Sequence, residues 1–149
     1  MIVITPVDFR IGGDVIKIYI CPADMQGCGY YRSIWPAKEL IKQGHTNIEI
    51  VWPAQRDQFL KGELDPRTKK IVGVQVPSDA DVIVLQRVTN SYLSQAIPFI
   101  TAKGVAVVID MDDDLSSIHP ENPAFDYLRP GKDREHTWEN ARQACADAT

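Results

Sequence analysis

Four aspartates within five positions, Asp110, Asp112, Asp113 and Asp114, follow directly on the apolar run 105–109. Such a run reads as a strand buried on both faces, and an open α/β sheet places its ligands outside the carboxyl ends of its strands. Clustered carboxylates repel one another, so their grouping at a strand tip points to a site or to local caps and turns rather than to core packing. Three chemistries suit the group. Its oxygens suit a hard cation such as Mg²⁺ or Mn²⁺. One aspartate can act as a general base or bind a hydroxyl while the others cap turns through Ser116 and Ser117. The third reading is a solvated acidic loop.

A second constellation is Gly27-Cys28-Gly29-Tyr30-Tyr31-Arg32, placed between a strand and a helix N-terminus. Backbone amides and the helix dipole favour an anion at such a place, glycines permit close approach, and Arg32 adds a bidentate donor. The full GxGxxG fingerprint is absent because Arg32 holds the third glycine's position, so a simple tight turn competes with phosphate binding. Gln86 and Arg87, with Thr89 and Asn90 behind them, end another strand and face the same cleft or, alternatively, pair with the aspartates.

Other candidate groups are weaker. His45, His119 and His136 have no ligand spacing with one another and read as surface or satisfied polar residues. Cys21, Cys28 and Cys145 lack a CxxC pair and read as ordinary thiols rather than a zinc site or a disulfide framework. Trp35, Trp52 and Trp138 would suit stacking on sugar faces, but their helix and strand positions predict core packing.

The elements that position these residues follow from periodicity. Residues 15–20 form a first strand, the loop runs from Asp24 to Tyr31, and a helix capped by Ser33 has Pro36 in its first turn, Leu40 and Ile41 toward the sheet, and Gly44 at its stop. Residues 47–52 form a second strand. The polar segment 54–70 reads as a short helix plus loop, 71–76 as a short strand, and 81–86 as a stronger one. A helix follows through Tyr92, Leu93, Ala96, Ile97 and Ile100, with Pro98 kinking or restarting it. After the acidic tip, 115–132 is loop and 133–147 is a helix with Trp138, Ala141 and Cys145 on one face.

Alternating strands and helices predict an α/β, Rossmann-like three-layer sandwich with a mostly parallel sheet. With 149 residues the chain fits a single domain, preceded by an extension over 1–14; because it ends on a helix where another strand is expected, the sheet reads as truncated. The net charge of −4 argues against a surface that tracks nucleic-acid backbone. No apolar run reaches 18 residues and no leader precedes the domain, so the expectation is a cytoplasmic protein with no membrane partner.

Taken together, the 27–32 loop with Pro36, Leu40 and Gly44, the strand 81–87 and the tip 107–115 resemble the N-terminal domain of GT-B-fold glycosyltransferases. The likeness is nearest to glycosyltransferase-like proteins of bacteriophages and bacteria. It implies one half of a two-domain transferase that moves a hexose from a nucleotide sugar, its donor substrate, to a hydroxyl acceptor, with a C-terminal domain holding most of the donor. On the matching positions, Gly27, Gly29, Tyr30, Arg32 and Arg87 would lie near the diphosphate. Asp110, Asp112 and Asp113 would line the acceptor side, one of them as base. The family needs neither cofactor nor metal for its chemistry, so no tight metal site is expected, and one half alone would be inactive. Two alternatives stand beside it: a non-catalytic nucleotide- or carbohydrate-binding module, and a haloacid-dehalogenase-like phosphatase with Asp110 as nucleophile and Asp112 as general acid.

Overall fold

The computed structural model describes residues 10–11, 14–123, 125–128 and 136–149. Among these, the strands are β1 (Ile18–Cys21), β2 (Ile48–Ile50), β3 (Lys61–Leu64), β4 (Ile71–Gln75), β5 (Val82–Gln86) and β6 (Ala106–Asp110), besides a two-residue ladder between Arg10–Ile11 and Asp14–Val15. The longer helices are α1 (Trp35–Lys42), α2 (Ser91–Thr101) and α3 (Thr137–Asp147). Four strands form an all-parallel sheet in the order β2-β1-β5-β6, which confirms the α/β, Rossmann-like expectation. The chain steps outward from β1 to β2, then crosses back to β5 and β6. Strand order therefore reverses between β1 and β5, and a crevice outside their carboxyl ends is where this architecture binds ligands.

One face of the sheet carries most of the core. Tyr19, Cys21, Ile83, Leu85 and Val107 alternate onto that face and pack with Leu93, Ile97 and Ile100 of α2 and Ala144 of α3. The other face is covered by α1, whose neighbour is β2. Toward the β6 edge it is open, and Val108 there is 46% exposed. The last residue lies along this edge strand: the Thr149 amide donates to the Val107 carbonyl at 3.0 Å, and its Oγ1 accepts from the Val107 amide at 3.1 Å.

Several elements depart from the expectations. The segment 27–31 is no loop: Gly27–Gly29 makes a helical turn, and Tyr30–Ile34 continues it as a π-helix directly into α1. The Trp35 amide reaches back five residues to the Tyr30 carbonyl. Pro36 has no N–H to give the Arg32 carbonyl, which favours the wider turn at this point. The extra residue rotates the helix, so Ile34 and Ala37 are buried while Leu40 is half-buried and Ile41 exposed. Ser33 lies buried inside the π-helix and caps nothing. Gly44, at φ +98, ends the run as expected.

The polar stretch after β2 holds a short helix, Arg56–Phe59, and then β3, an antiparallel partner of β4. This hairpin stands apart from the main sheet. It is anchored by fully buried Leu60 and by the Tyr92 hydroxyl, which accepts from the Gly62 amide and donates to the Leu60 carbonyl at 3.0 Å. In α2, Asn90 is the cap, accepting from the Leu93 amide at 2.8 Å, and Pro98 sits inside one continuous helix. Burial of Leu93, Ala96, Ile97 and Ile100 holds that helix together across the missing bond. On α3 the buried residues are Thr137, Ala141 and Ala144, whereas Cys145 is exposed and Trp138 half-buried. Residues 133–135 of that expected helix, and most of the 1–14 extension, lie outside the described residues. Among the described residues no helix is long and apolar enough to cross a membrane.

Candidate functional site

Gln86 is the hub of the carboxyl-terminal edge. It is register partner to Asp110 in the parallel β5–β6 pair, so both side chains project from the same face. Its side chain is 1% exposed and fully used: Oε1 accepts from the Ala23 amide at 3.1 Å, while Nε2 donates to the Cys28 carbonyl at 3.2 Å and to Asp110 Oδ2 at 3.3 Å. One buried amide thus ties the segment after β1, the 27–29 turn and the tip of β6 together.

Two bidentate ion pairs are built on this frame. Arg32, on the π-helix, donates from Nε to Asp110 Oδ2 at 3.0 Å and from Nη2 to Asp110 Oδ1. Arg87 donates from Nε to Asp112 Oδ1 at 3.2 Å and from Nη2 to Asp112 Oδ2 at 2.9 Å, with Asp24 at 3.5 Å and Asp113 at 3.9 Å. Arg87 has a left-handed backbone, φ +52, and its amide donates to the Asp110 carbonyl at 2.8 Å. A non-glycine residue there is strained by about 1 kcal/mol or more, and the surrounding bonds hold it. That turn in the chain swings the guanidinium toward Asp112.

The electrostatics follow the pairs. The Arg87 guanidinium holds the Asp112 carboxyl down to about 2 against partial burial, and Asp112 in turn raises the pKa of Arg87. Hydrogen bonding to Asp110 raises that of Arg32. The Cys28 thiol, bonded to Asp112, is pushed above its ordinary range. Asp114 is lowered by the hydroxyls of Ser116 and Ser117, so it is a turn cap, as one sequence reading holds.

Of the sequence-derived candidates, Arg32, Arg87, Asp110, Asp112 and Asp113 are joined by ion pairs at this one edge of the sheet, while Gly27, Gly29 and Tyr30 lie on the helical segment that leads into Arg32. Their roles within it differ. Gly29 is required for close approach: a Cβ there would collide with the Asp24 carbonyl and lie 2.7 Å from Asp24 Oδ1, whereas one at Gly27 would meet nothing within 4 Å. The Arg32 and Arg87 forks are each occupied by an aspartate, the pairing that stood as the alternative for Arg87. Four carboxylates, Asp24, Asp110, Asp112 and Asp113, face these two cations, and Asp114 caps the turn that follows, so the edge is net negative. Asp113 is the least restrained of the candidate aspartates, its side chain 63% exposed and touched only at 3.9 Å. Among the described residues no three His, Cys, Asp or Glu side chains converge as metal ligands.

Trp35 contradicts the core-packing expectation. It is 54% exposed and stacks beside Tyr31 and Tyr30 with ring centroids 5.8 and 6.4 Å away. Tyr31, Trp35, Pro36 and Glu39 line a shallow depression next to the Arg32–Asp110 pair. Sequence reasoning missed Asp24, two residues beyond the proline that ends β1, and Arg56, in a segment with no legible pattern. Comparison with protein-family models, curated proteins and solved structures gives no match to this chain.

Proposed function

We propose that this chain is the acceptor-side domain of a GT-B-type glycosyltransferase, binding a hydroxyl-bearing acceptor at the carboxyl edge of its sheet for transfer of a hexose from a nucleotide sugar. The observation that carries this reading is the paired lattice of Arg32 with Asp110 and Arg87 with Asp112, which leaves Asp113 as an exposed carboxylate beside the strand-order switch. Asp113 is the group to accept the acceptor's proton, a step that contributes about 10²–10⁴ in rate when the base is well placed. Asp110 and Asp112 are positioning residues that fix the two guanidiniums. The exposed rings of Tyr31 and Trp35 offer apolar faces for a sugar ring. A net-negative edge with occupied arginines suits a neutral hydroxyl acceptor better than a diphosphate, consistent with a donor held mainly by a second domain.

Amide-resolved NMR titration of the chain with an oligosaccharide panel tests the reading. The expected result is shifts confined to 28–35, 86–87 and 110–114, with Trp35→Ala weakening binding about tenfold or less and Asp113→Asn abolishing transfer in any donor–acceptor pair found active. Absence of saccharide shifts up to about 10 mM, or shifts elsewhere, counts against it. Mg²⁺-dependent phosphatase activity lost in Asp110→Asn would establish the phosphatase alternative instead.

A further inference from the structure

On the same sheet edge, a cavity of about 490 Å³ is lined by Arg56, Asn90, Ser91, Tyr92 and Leu93. Its volume is within the range of small-molecule sites. Arg56 stands just beyond β2 and Asn90 just beyond β5, so the cavity opens where ligands enter this architecture. It belongs to the core-side face, since Arg56 is near enough to Cys21 for its charge to oppose the burial that pushes that thiol up.

Arg56 differs from Arg32 and Arg87, each of which is paired with an aspartate. Among the described side chains no carboxylate lies within 4.0 Å of it, and its Nε–H is buried without an acceptor. Buried donors of this kind are rare, and an uncompensated guanidinium at a cavity wall leaves its charge for whatever enters. Among the described side chains no Asp or Glu lines the cavity. The first turn of α2 lines the same cavity, and there Asn90 satisfies only the Leu93 amide. The Ser91 and Tyr92 amides lie beyond reach of the helix's own carbonyls, and the helix dipole adds a positive end. The Tyr92 hydroxyl is already committed to the hairpin, which leaves the Ser91 hydroxyl as the free one at the rim.

We propose that this cavity binds the phosphate group of a small phosphate ester, with the Arg56 guanidinium and the first-turn amides and hydroxyl of α2 as its ligands. A guanidinium and a helix N-terminus in one cavity match the oxygens of a phosphate monoester, and the remaining cavity volume takes the group it esterifies. This site is distinct from the acidic edge and stands whether or not the glycosyl-transfer reading holds. It places anion binding at Arg56 rather than at Arg32.

The test is amide-resolved NMR titration of the full chain at low ionic strength with inorganic phosphate, ribose 5-phosphate and ribose. The expected result is shifts of the Ser91 and Tyr92 amides with both phosphates, ribose 5-phosphate binding more tightly and ribose not at all. Arg56→Gln should weaken both at least about tenfold, Arg56→Lys should keep part of the affinity, and Arg32→Gln should leave it unchanged. Parent-like binding in Arg56→Gln, loss of binding in Arg32→Gln, or no shift at these amides up to about 50 mM phosphate overturns the site. Equal affinity for inorganic phosphate and ribose 5-phosphate overturns the ester and leaves a bare anion site. Should Arg56→Gln fail to fold, the amide map of the parent and the Arg56→Lys titration still decide.

Discussion

Gly29 has an ordinary helical backbone, φ −61 and ψ −41, so its requirement for glycine is purely steric. Its α-carbon sits against the Asp24 carbonyl, the same aspartate that flanks Arg87. Gly29→Ala should therefore lower stability by about 1–3 kcal/mol and displace Asp24, whereas Gly27→Ala, open to solvent within a helical turn, should be neutral or stabilising by up to about 1 kcal/mol. Urea denaturation of the two variants checks the contrast; equal effects would refute it. At this scale the acidic tip and Arg87 were legible because apolar runs mark where strands end. Their pairing was not: Asp110 meets an arginine 78 positions away, and only folding brings the two together. Trp35 was misread because its helix turns by one residue at the π segment, and Arg56 because a polar segment offers no periodicity that marks a cavity wall.

Among the elements, the β3–β4 hairpin is tied to α2 by the Tyr92 hydroxyl, beside the buried Leu60, Ile71 and Val74. Tyr92→Phe leaves the ring in place but removes the acceptor of the Gly62 amide and the donor to the Leu60 carbonyl. The expected loss is about 1–2 kcal/mol, read by urea denaturation, with hydrogen exchange accelerating in β3 and β4 more than in β5 and β6. Uniform acceleration across the sheet would show that the hairpin is not a separable unit. β1, β5 and β6 were legible from β-branched, apolar sequence. β3 was not, since Lys-Gly-Glu-Leu has neither alternation nor burial and owes its pairing to the partner strand and to the turn in which Asp65 accepts from the Arg67 and Thr68 amides. At Pro98 the helix does not restart, because tertiary burial outweighs a local helix breaker.

Across the whole molecule, the parallel sheet followed from the strand–helix alternation, whereas the strand order that makes its switch point emerges only in the fold; together they account for why distant motifs share one edge. The acid limb of stability should carry the mark of that edge. Asp112, about 2 in the fold and about 3.9 in an unfolded chain, adds stability that is complete above about pH 4 and is lost as pH falls through about 2. With its side chain 9% exposed, that contribution is about 1–2 kcal/mol. Asp112→Asn should be less stable at pH 7 and show a flatter decline between pH 4 and 2 in denaturant titrations; an unchanged slope would remove Asp112 from the account. The position of β1 has a consequence for synthesis. First of the sheet strands to be made, it ends between two neighbours, β2 at 48–50 and β5 at 82–86. A nascent chain that has reached Lys70 can seal only one side of β1, and the other remains an open row of donors and acceptors until β5 leaves the ribosome. Translation through 71–86 is therefore the interval in which this protein is most exposed to strand exchange with its neighbours on a polysome.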